Sequence, residues 1–485
     1  MSKINFQPGK DDAGHACWPD FLQWAATHYP QNIALLTASL SFTYDQLNLM
    51  VSDCCTKLSE HGLKSGDHVM LIADHNVETV VLLLACFRLQ ICVCPINPKL
   101  PDKALFSLID NLNIKSFVGH RPSPTDEPVL SPDSLVDLSK ASALKRAQQT
   151  KHQKFGYRAD SLATLILSSG STGRPKAVAH RYDNHIYSAL ASNRLLAQTQ
   201  GDRYLLSLPL YHIGGLQIIF RCLLAGATMV LANKAHAHRA LNEFKISHVS
   251  MVATQLKRLL DQNVSPNYLK VILVGGGPVS GELLAVAASR QIPCYLTYGL
   301  TEMSSQVVTH DPTGKAHVLT HSEMKLDSDG SILVKGLTLC AGYYQKELHP
   351  LPLDHDGWFD TRDLGVWANG HFSVLGRKDN QFISGGENIQ PEEIERYCVK
   401  IPGIKQAIIV ALPSETYGCS PALFVDKESK VSIDTIQREL RQWLPSFKIP
   451  QQMFVLPDSQ SLKENRCHLQ QLASMLAMQQ TSPQK

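Results

Sequence analysis

Ser168-Ser169-Gly170-Ser171-Thr172-Gly173-Arg174-Pro175-Lys176 is the stretch whose residue types best fit phosphate chemistry. Four hydroxyl side chains and two glycines leave backbone N–H and O–H donors free to wrap phosphate oxygens, and Lys176 adds a positive charge. A plain surface turn shares the Gly/Ser/Thr/Pro composition. The apolar run Leu162 to Leu167 before it, which reads as a buried strand, and the lysine that closes it favour phosphate. A Walker loop is excluded. That motif ends Gly-Lys-Ser/Thr and opens into a helix. Here Pro175 precedes Lys176 and Ala177 follows it, and Pro175 biases Arg174 away from helical geometry.

In order, spacing and its Pro-Lys ending, the stretch resembles the signature loop of the acyl-adenylate-forming (AMP-binding) enzymes. That family includes acyl-CoA synthetases, luciferases and peptide-synthetase adenylation domains. The resemblance implies that Ser168, Ser169, Gly170, Ser171, Thr172, Gly173 and Lys176 hold the ATP phosphates, chiefly the departing pyrophosphate. Thr297-Tyr298-Gly299-Leu300-Thr301-Glu302 resembles the second signature. There Tyr298 would stack on adenine next to Gly299, and the Thr301 hydroxyl would bond the α-phosphate. Glu302 would share Mg²⁺ with the substrate phosphates. By itself, Thr-Glu is equally a helix cap with an acidic first turn.

Gly357-Trp358-Phe359-Asp360-Thr361-Arg362-Asp363-Leu364-Gly365 resembles the third signature, which implies that Asp363 grips the ribose; a carboxylate accepts from two hydroxyls at once. Gly376-Arg377-Lys378-Asp379 matches the family hinge, with Arg377 on the ribose and Asp379 as pivot; alone it reads as a charged loop. The resemblance implies that Gly385, Gly386 and Glu387 form the glycine-rich turn that serves the second, CoA-dependent half-reaction. Near the end, Ser461-Leu462-Lys463-Glu464-Asn465-Arg466 has Leu462 where relatives carry Gly. Lys463 matches the adenylation lysine, against the alternative of a solvated charge run. The resemblance makes Lys463, Thr301 and His212 the catalytic candidates.

Three features bear on the substrates. The strand-like run Leu205 to Leu210 ends in Tyr211-His212-Ile213-Gly214-Gly215, which would set the His212 ring at the carboxyl edge of a sheet, where open α/β sheets bind ligands. The family has an aromatic-His pair there, lining the acyl pocket. Gly275-Gly276-Gly277 after a strand either makes a tight turn or lets a flat ring approach the backbone; the resemblance assigns Gly275 and Gly276 to the adenine side. Arg221 interrupts the apolar helix Leu216 to Ala225. It either snorkels to water or meets an anion, such as a second carboxylate on the substrate. The Pro209 to Ala227 and Gly385 to Glu395 segments together resemble the o-succinylbenzoate–CoA ligase branch of the family, whose acid carries that second carboxylate.

The elements around these motifs are consistent with such an enzyme. The chain is 485 residues, too long for one ordinary core. With 46 basic and 43 acidic residues the charge is too balanced to argue for nucleic acid or an anionic membrane. No apolar stretch reaches the roughly 18–20 residues of a bilayer span. Twelve scattered cysteines and no secretory signal lead to an expectation of reduced thiols in the cytoplasm. Cys54-Cys55 and Cys92-x-Cys94 lack metal spacing, His310, His317 and His321 form no recognised motif, and a metal held by protein alone is not expected.

Strands at 68–72, 91–96 and 115–119 alternate with helices at 77–87 and 103–112, the order of a largely parallel sheet. Residues 121–154 read as a surface excursion, and 478–485 as a loose tail. The fold class expected is α/β: a large N-terminal domain of layered, mostly parallel sheets (1–378) and a small C-terminal α+β domain (379–485) joined by a hinge. The function that the resemblance implies is an acid–CoA ligase that activates o-succinylbenzoate as an acyl-adenylate and transfers it to CoA, in menaquinone biosynthesis, using ATP and Mg²⁺ and acting on small molecules, with a homodimer left open. Other readings are an aryl or medium-chain acyl-CoA ligase, an enzyme that loads a carrier protein, and a degenerate ATP-binding protein.

Overall fold

The computed structural model describes residues 7–11, 13–120, 129–138, 156–169, 175–232, 237–262, 267–368, 370–384, 387–414, 417–426, 428–457 and 466–481. They fall into two compact units. The first takes Met1–Ser169, Pro175–Met324 and Val334–Phe359; the second takes Lys325–Leu333 and Asp360–Lys485.

The β-α-β-α-β run anchors the first unit. Strands His68–Ile72, Cys92–Ile96 and Ile114–Val118 pair in parallel. Helices Val77–Arg88 and Asp102–Asn111 connect them. Asn76 starts the first of these by accepting from Thr79 N–H, and its Val/Leu-rich sequence is buried on every side. Eight strands make this sheet, in the order Glu347–His349, Gly342–Gln345, Pro175–Arg181, Leu162–Ser169, Cys92–Ile96, His68–Ile72, Ile114–Val118, Val129–Leu130. A second sheet has nine, in the order Ala316–Val318, Ser305–His310, Cys294–Leu300, Val271–Val274, His248–Met251, Arg203–Leu205, Thr228–Val230, Ile33–Leu36, Ser41–Thr43. Helices Phe21–His28, Tyr44–Glu60, Val77–Arg88, Tyr182–Leu195 and Ile213–Ala225 share one apolar core with inward residues of both sheets, among them Val69, Val93, Leu35 and Met229. Thr43 caps Tyr44–Glu60 in a reciprocal box with Gln46.

Four expectations change. The run Leu205 to Leu210 is strand only as far as Leu205, because Pro209 has no N–H for a ladder and the chain turns there, His212 N–H bonding the Pro209 carbonyl at 3.1 Å. The apolar run Ile292 to Leu296, which reads as a strand, is strand from Cys294 and continues to Leu300, through the Tyr298-Gly299 signature. Within the expected excursion, Val129–Leu130 adds a parallel edge strand beside Ile114–Val118, and Pro132–Leu135 makes a helical turn; residues 121–128 and 139–154 lie outside the described residues. The final helix, Arg466–Thr481, reaches into the stretch read as a tail.

In the second unit, strand Ala407–Ser414 pairs antiparallel with Gly418–Val425, which pairs in parallel with Gln452–Val455. The two-residue period of a strand splits its side chains between two cores. Ile409, Leu423 and Val425 pack with Ile394, Cys398, Ile436 and Leu440. Val410, Leu412, Ala422 and Phe424 pack with Leu469 and Ala473 of the final helix. Among the described residues of either unit no helix is long and apolar enough to cross a membrane.

Candidate functional site

The phosphate-loop stretch joins two antiparallel strands, with Ser168 opposite Lys176 and Ser169 opposite Pro175. Gly170, Ser171, Thr172 and Gly173 lie outside the described residues. At the base of the hairpin Ser168 Oγ donates to the Lys176 carbonyl at 3.4 Å. Lys176 Nζ lies 5.0 Å from the centre of the Tyr343 ring, and the Tyr343 hydroxyl donates to Glu302 Oε1 at 2.9 Å. One aromatic side chain thus links the lysine of the first signature to the carboxylate of the second.

That carboxylate stands on the turn of a second hairpin, Cys294–Leu300 against Ser305–His310. The register slips between Tyr298 and Gly299, and a Cβ on Gly299 would sit 1.7 Å from the Ser305 carbonyl oxygen. The glycine of the Tyr-Gly pair is therefore a packing requirement of the hairpin. Thr301–Met303 form a single 3₁₀ turn; Ser304 then takes left-handed backbone at φ 53°, and Ser305 has φ 116°. Two non-glycine residues in succession at positive φ persist only where surrounding contacts over-determine them.

Those contacts are a buried polar network that sequence reading did not find. The Thr301 carbonyl accepts from His180 Nε2 at 2.7 Å. Thr164 Oγ1 lies 3.5 Å from His180 Nδ1 and 2.9 Å from His185 Nε2. Gln217 Nε2 donates to Ser304 Oγ at 2.8 Å, Ser304 Oγ lies 2.9 Å from His185 Nδ1, and Ser188 Oγ donates to the Ser304 carbonyl at 2.7 Å. Burial holds the His180 imidazole down to about 4, its backbone hydrogen bonds only partly opposing, and burial with the neighbouring His180 holds His185 well below its usual range. Both rings are neutral, which lets one nitrogen donate and the other accept. The members come from positions 164, 180, 185, 188, 217 and 301–304, so only the isolated histidines could have signalled the network.

Arg221 does not snorkel: it is 1% exposed. Its Nη1 donates to the Tyr204 hydroxyl at 3.3 Å, and its Nη2 to Gln306 Oε1 at 3.0 Å and Ser305 Oγ at 3.4 Å. Its Nε has no partner among the described residues. A second buried arginine gives the contrast. Arg88 meets Asp20 at 2.5 Å, Asn48 Oδ1 at 2.6 Å and Ser52 Oγ at 2.8 Å. Arg88 is a neutralised structural ion. Among the described residues Arg221 meets neutral acceptors alone and keeps one donor, its Nε, unpaired.

His212 is exposed and caps the helix that carries Arg221; its ring lies 4.6 Å from that of Tyr211. Nine positions separate it from Arg221, roughly 13 Å of helix. A Cβ on Gly215 would come 2.1 Å from the Pro209 carbonyl oxygen, so the second glycine of the His-x-Gly-Gly run lets the helix start close against the turn. Gly275 packs on Thr297, where a Cβ would meet Cγ2 at 2.7 Å, and Gly276 has φ 82°. The glycine turn and the Tyr298 strand therefore lie side by side at the carboxyl ends of parallel neighbours.

In the second unit, the β-pair Phe359–Ala368 and His371–Arg377 sets Asp363 opposite Arg377. Arg377 Nη1 lies 3.4 Å from Asp363 Oδ1, and its Nη2 3.1 Å from Asp379 Oδ2. Arg362, not singled out from sequence, donates to Asp379 Oδ1 at 3.0 Å from a backbone at φ 64°. Partial burial works against the charged form of Asp379, yet hydrogen bonds and charge from Arg377 and Arg362 hold its carboxyl below the usual range. The ribose and pivot candidates thus form one ion-pair cluster. Glu387 is exposed on the Phe382–Ser384/Glu387–Ile389 hairpin. Gly385, Gly386 and Lys463 lie outside the described residues.

For a metal, no three His, Cys, Asp or Glu side chains come together among the described residues. Glu302, with one oxygen engaged by Tyr343, is a hard oxygen donor of the kind Mg²⁺ takes alongside phosphate oxygens. The donor set fits.

Comparison with known proteins gives a match to the family model described as "AMP-binding enzyme" over residues 22–344. The chain is 31% identical to the 2-succinylbenzoate–CoA ligase of Escherichia coli (strain K12) over 444 residues, 90% of this chain and 94% of that protein. It is 30% identical to the 2-succinylbenzoate–CoA ligase of Bacillus subtilis (strain 168) over 465 residues, 90% and 94%. The Bacillus subtilis o-succinylbenzoate CoA synthetase in complex with its acyl-adenylate intermediate superposes with TM-score 0.84 at 27% identity, covering 97% of this chain and 99% of that one. The same enzyme with ATP and a magnesium ion gives 0.84 at 28% identity, covering 94% and 100%.

Proposed function

The chain belongs to the AMP-binding enzyme family, and on that premise we propose that it is an ATP-dependent, AMP-forming ligase joining o-succinylbenzoate to CoA, a step of menaquinone biosynthesis. The observation that carries the choice of acid is Arg221, a buried cation with no carboxylate partner among the described residues. A plain acyl chain would leave it uncompensated. A dicarboxylate supplies the missing charge, and a guanidinium binds it with orientation as well as affinity.

In the first half-reaction the other carboxylate of the acid attacks the α-phosphorus of ATP; the bond to the β-phosphate oxygen breaks and pyrophosphate leaves. Such transfer needs positioning and charge neutralisation more than covalent help. Ser168–Lys176 holds the departing phosphates, Thr301 bonds the α-phosphate, and Lys463 neutralises charge as it develops. Mg²⁺, when bound, would offset the negative charge of the phosphates, and Glu302 would hold it on the protein side. Tyr298, Gly275 and Gly276 take the adenine, Asp363 and Arg377 the ribose, and His212 lines the acyl side. In the second half-reaction the CoA sulfur attacks the acyl carbon, its proton passes to solvent or base, and AMP leaves. Rotation of residues 379–485 about Asp379 exchanges Lys463 for Gly385, Gly386 and Glu387. A reducing cytoplasm suits cysteines such as Cys54, Cys86, Cys222 and Cys398, which are buried free thiols. No step draws on a second subunit, so a homodimer would leave the chemistry unchanged.

Pyrophosphate release with ATP and Mg²⁺ tests this, over o-succinylbenzoate, benzoate, a medium-chain fatty acid and an amino acid, with and without CoA. Release specific to o-succinylbenzoate and sustained only with CoA is the expected result. Response to a monocarboxylate refutes the acid, and sustained turnover without CoA refutes the ligase. Lys463→Ala is expected to abolish adenylate formation while pre-made adenylate still reacts with CoA; equal loss in both halves removes Lys463 from its role.

A further inference from the structure

The helix Ile213–Ala225 presents two side chains one turn apart to the same short segment. Gln217 Nε2 bonds Ser304 Oγ at 2.8 Å, while Arg221 Nη2 bonds Gln306 Oε1 at 3.0 Å and Ser305 Oγ at 3.4 Å. Two residues before Ser304 stands Glu302. Its side chain is tied to Tyr343, and its carbonyl accepts from Cys340 N–H at 2.7 Å. The preceding carbonyl, that of Thr301, is held by His180. Between these anchors lie the two positive-φ serines, Ser304 and Ser305. The segment Thr301–Gln306 therefore touches the buried cation at one end and the phosphate and metal candidates at the other, with its strained middle gripped by Gln217.

We propose that Gln217 and Ser304 are positioning residues that couple binding of the acid at Arg221 to binding of Mg·ATP at Thr301–Glu302. The inference rests on the function proposed above. When a carboxylate takes the Arg221 guanidinium, the charge-assisted bond competes with the neutral acceptors Gln306 Oε1 and Ser305 Oγ. Their release or retention bears on Ser304, because Ser304 and Ser305 are consecutive in a backbone that has few alternatives. Gln217 sets which alternative holds. Its Nε2 bridges Ser304 Oγ and His185 Nδ1, at 2.8 and 3.0 Å, and its Oε1 has no partner among the described residues. Turning this amide over would break no bond at its oxygen and would offer Ser304 Oγ an acceptor in place of a donor. Coupling of this kind is reciprocal: acid tightens Mg·ATP by the factor by which Mg·ATP tightens acid.

The experiment is titration calorimetry of the Mg²⁺ complex of α,β-methylene ATP, with and without saturating o-succinylbenzoate. The wild-type protein is expected to bind the nucleotide at least about fivefold more tightly when the acid is present, the lower end of usual couplings. Gln217→Met keeps the volume and removes both bonds. Ser304→Gly removes the hydroxyl and tolerates the left-handed backbone, so it decides the matter should the glutamine variant not fold. Each is expected to bind nucleotide alone within about threefold of wild type and to lose the enhancement. Retention of the enhancement in Ser304→Gly, or its absence in the wild type, overturns the coupling. Failure of o-succinylbenzoate to bind or turn over is a different result: it fells the function reading and the coupling with it. A wild type that turns over o-succinylbenzoate beside variants that keep the enhancement fells the coupling alone.

Discussion

Arg221→Met separates an arginine kept for the fold from one kept for a ligand. Met fills most of the volume, and Tyr204 keeps its bond to Ser250 Oγ at 2.8 Å. Gln306 keeps its Nε2 bond to Thr309 Oγ1 at 2.9 Å and loses only the partner of Oε1. Leaving that oxygen unpaired costs about 1–3 kcal/mol. Removing an uncompensated buried cation returns a similar amount, about 1–4 kcal/mol by analogy with buried ions replaced by apolar groups. The two nearly cancel, so the urea midpoint should stay close to that of wild type. Affinity for the acid should not. A charged hydrogen-bonded contact is worth about 1.5–3 kcal/mol, roughly a 10- to 150-fold rise in KM for o-succinylbenzoate. Nucleotide affinity measured without acid should not change.

Arg88→Met is the matched control. It strands Asp20, whose remaining partners are the Tyr157 hydroxyl at 3.0 Å and the Gln23 N–H at 3.0 Å. Leaving that carboxylate buried without its cation should cost about 3–5 kcal/mol. If Arg221→Met proves as destabilising as Arg88→Met, or leaves the KM for the acid where it was, the reasoning from the missing counter-ion is wrong.

The neutral histidines give a pH dependence. His180 is held down to about 4 in the fold against 6.5 when unfolded, so the unfolded chain binds more protons between those values and stability falls as pH drops from about 6.5 toward 4. The slope from this one group is at most about 1.4 kcal/mol per pH unit, with His185 adding in the same sense. His180→Gln should flatten the curve of urea midpoint against pH by about one proton, and an unchanged slope would contradict the assignment. Gly299→Ala should destabilise by at least about 3 kcal/mol, since its Cβ would lie 1.7 Å from a backbone carbonyl that cannot swing away; a soluble variant with a wild-type midpoint would count against the tight hairpin. Asp379→Pro loses two partly exposed ion pairs, a small matter for stability. It should spare adenylate formation and slow thioester formation from pre-made adenylate. Normal thioester formation would remove Asp379 as the pivot.

How much of this was legible from sequence follows from how each feature is built. The phosphate-loop and Tyr298–Glu302 stretches are contiguous because phosphate and adenine are met by backbone and neighbouring side chains, so order and spacing expose them. The β-α-β-α-β run was legible for a similar reason: Val77–Arg88 and the strands beside it are apolar over most of their length. The run Leu205 to Leu210 misled because apolarity does not distinguish a strand from a buried turn, and only Pro209 hinted at the difference. The histidine network was out of reach. Its bonds join residues up to 121 positions apart, as between His180 and Thr301, and in sequence each member is a lone polar residue in an apolar setting.

Arg466 shows the same division in the second unit. As a basic residue three positions after Lys463 it belongs to a matched pattern, yet that pattern says nothing of what it holds. In the fold it bonds Glu395 Oε1 at 2.6 Å and approaches Glu392 Oε1 at 3.4 Å, at the first residue of the final helix. Arg466 meets a carboxylate of the chain, so the pair resembles Arg88–Asp20 and not Arg221, and burial raises the Glu395 carboxyl above its usual value in spite of that contact. The two fully buried arginines among the described residues, Arg88 and Arg221, are therefore told apart by their partners. Asp20 meets Arg88, which anchors its helix. Among the described residues Arg221 meets neutral acceptors alone, and that is the distinction on which the choice of a dicarboxylic acid stands.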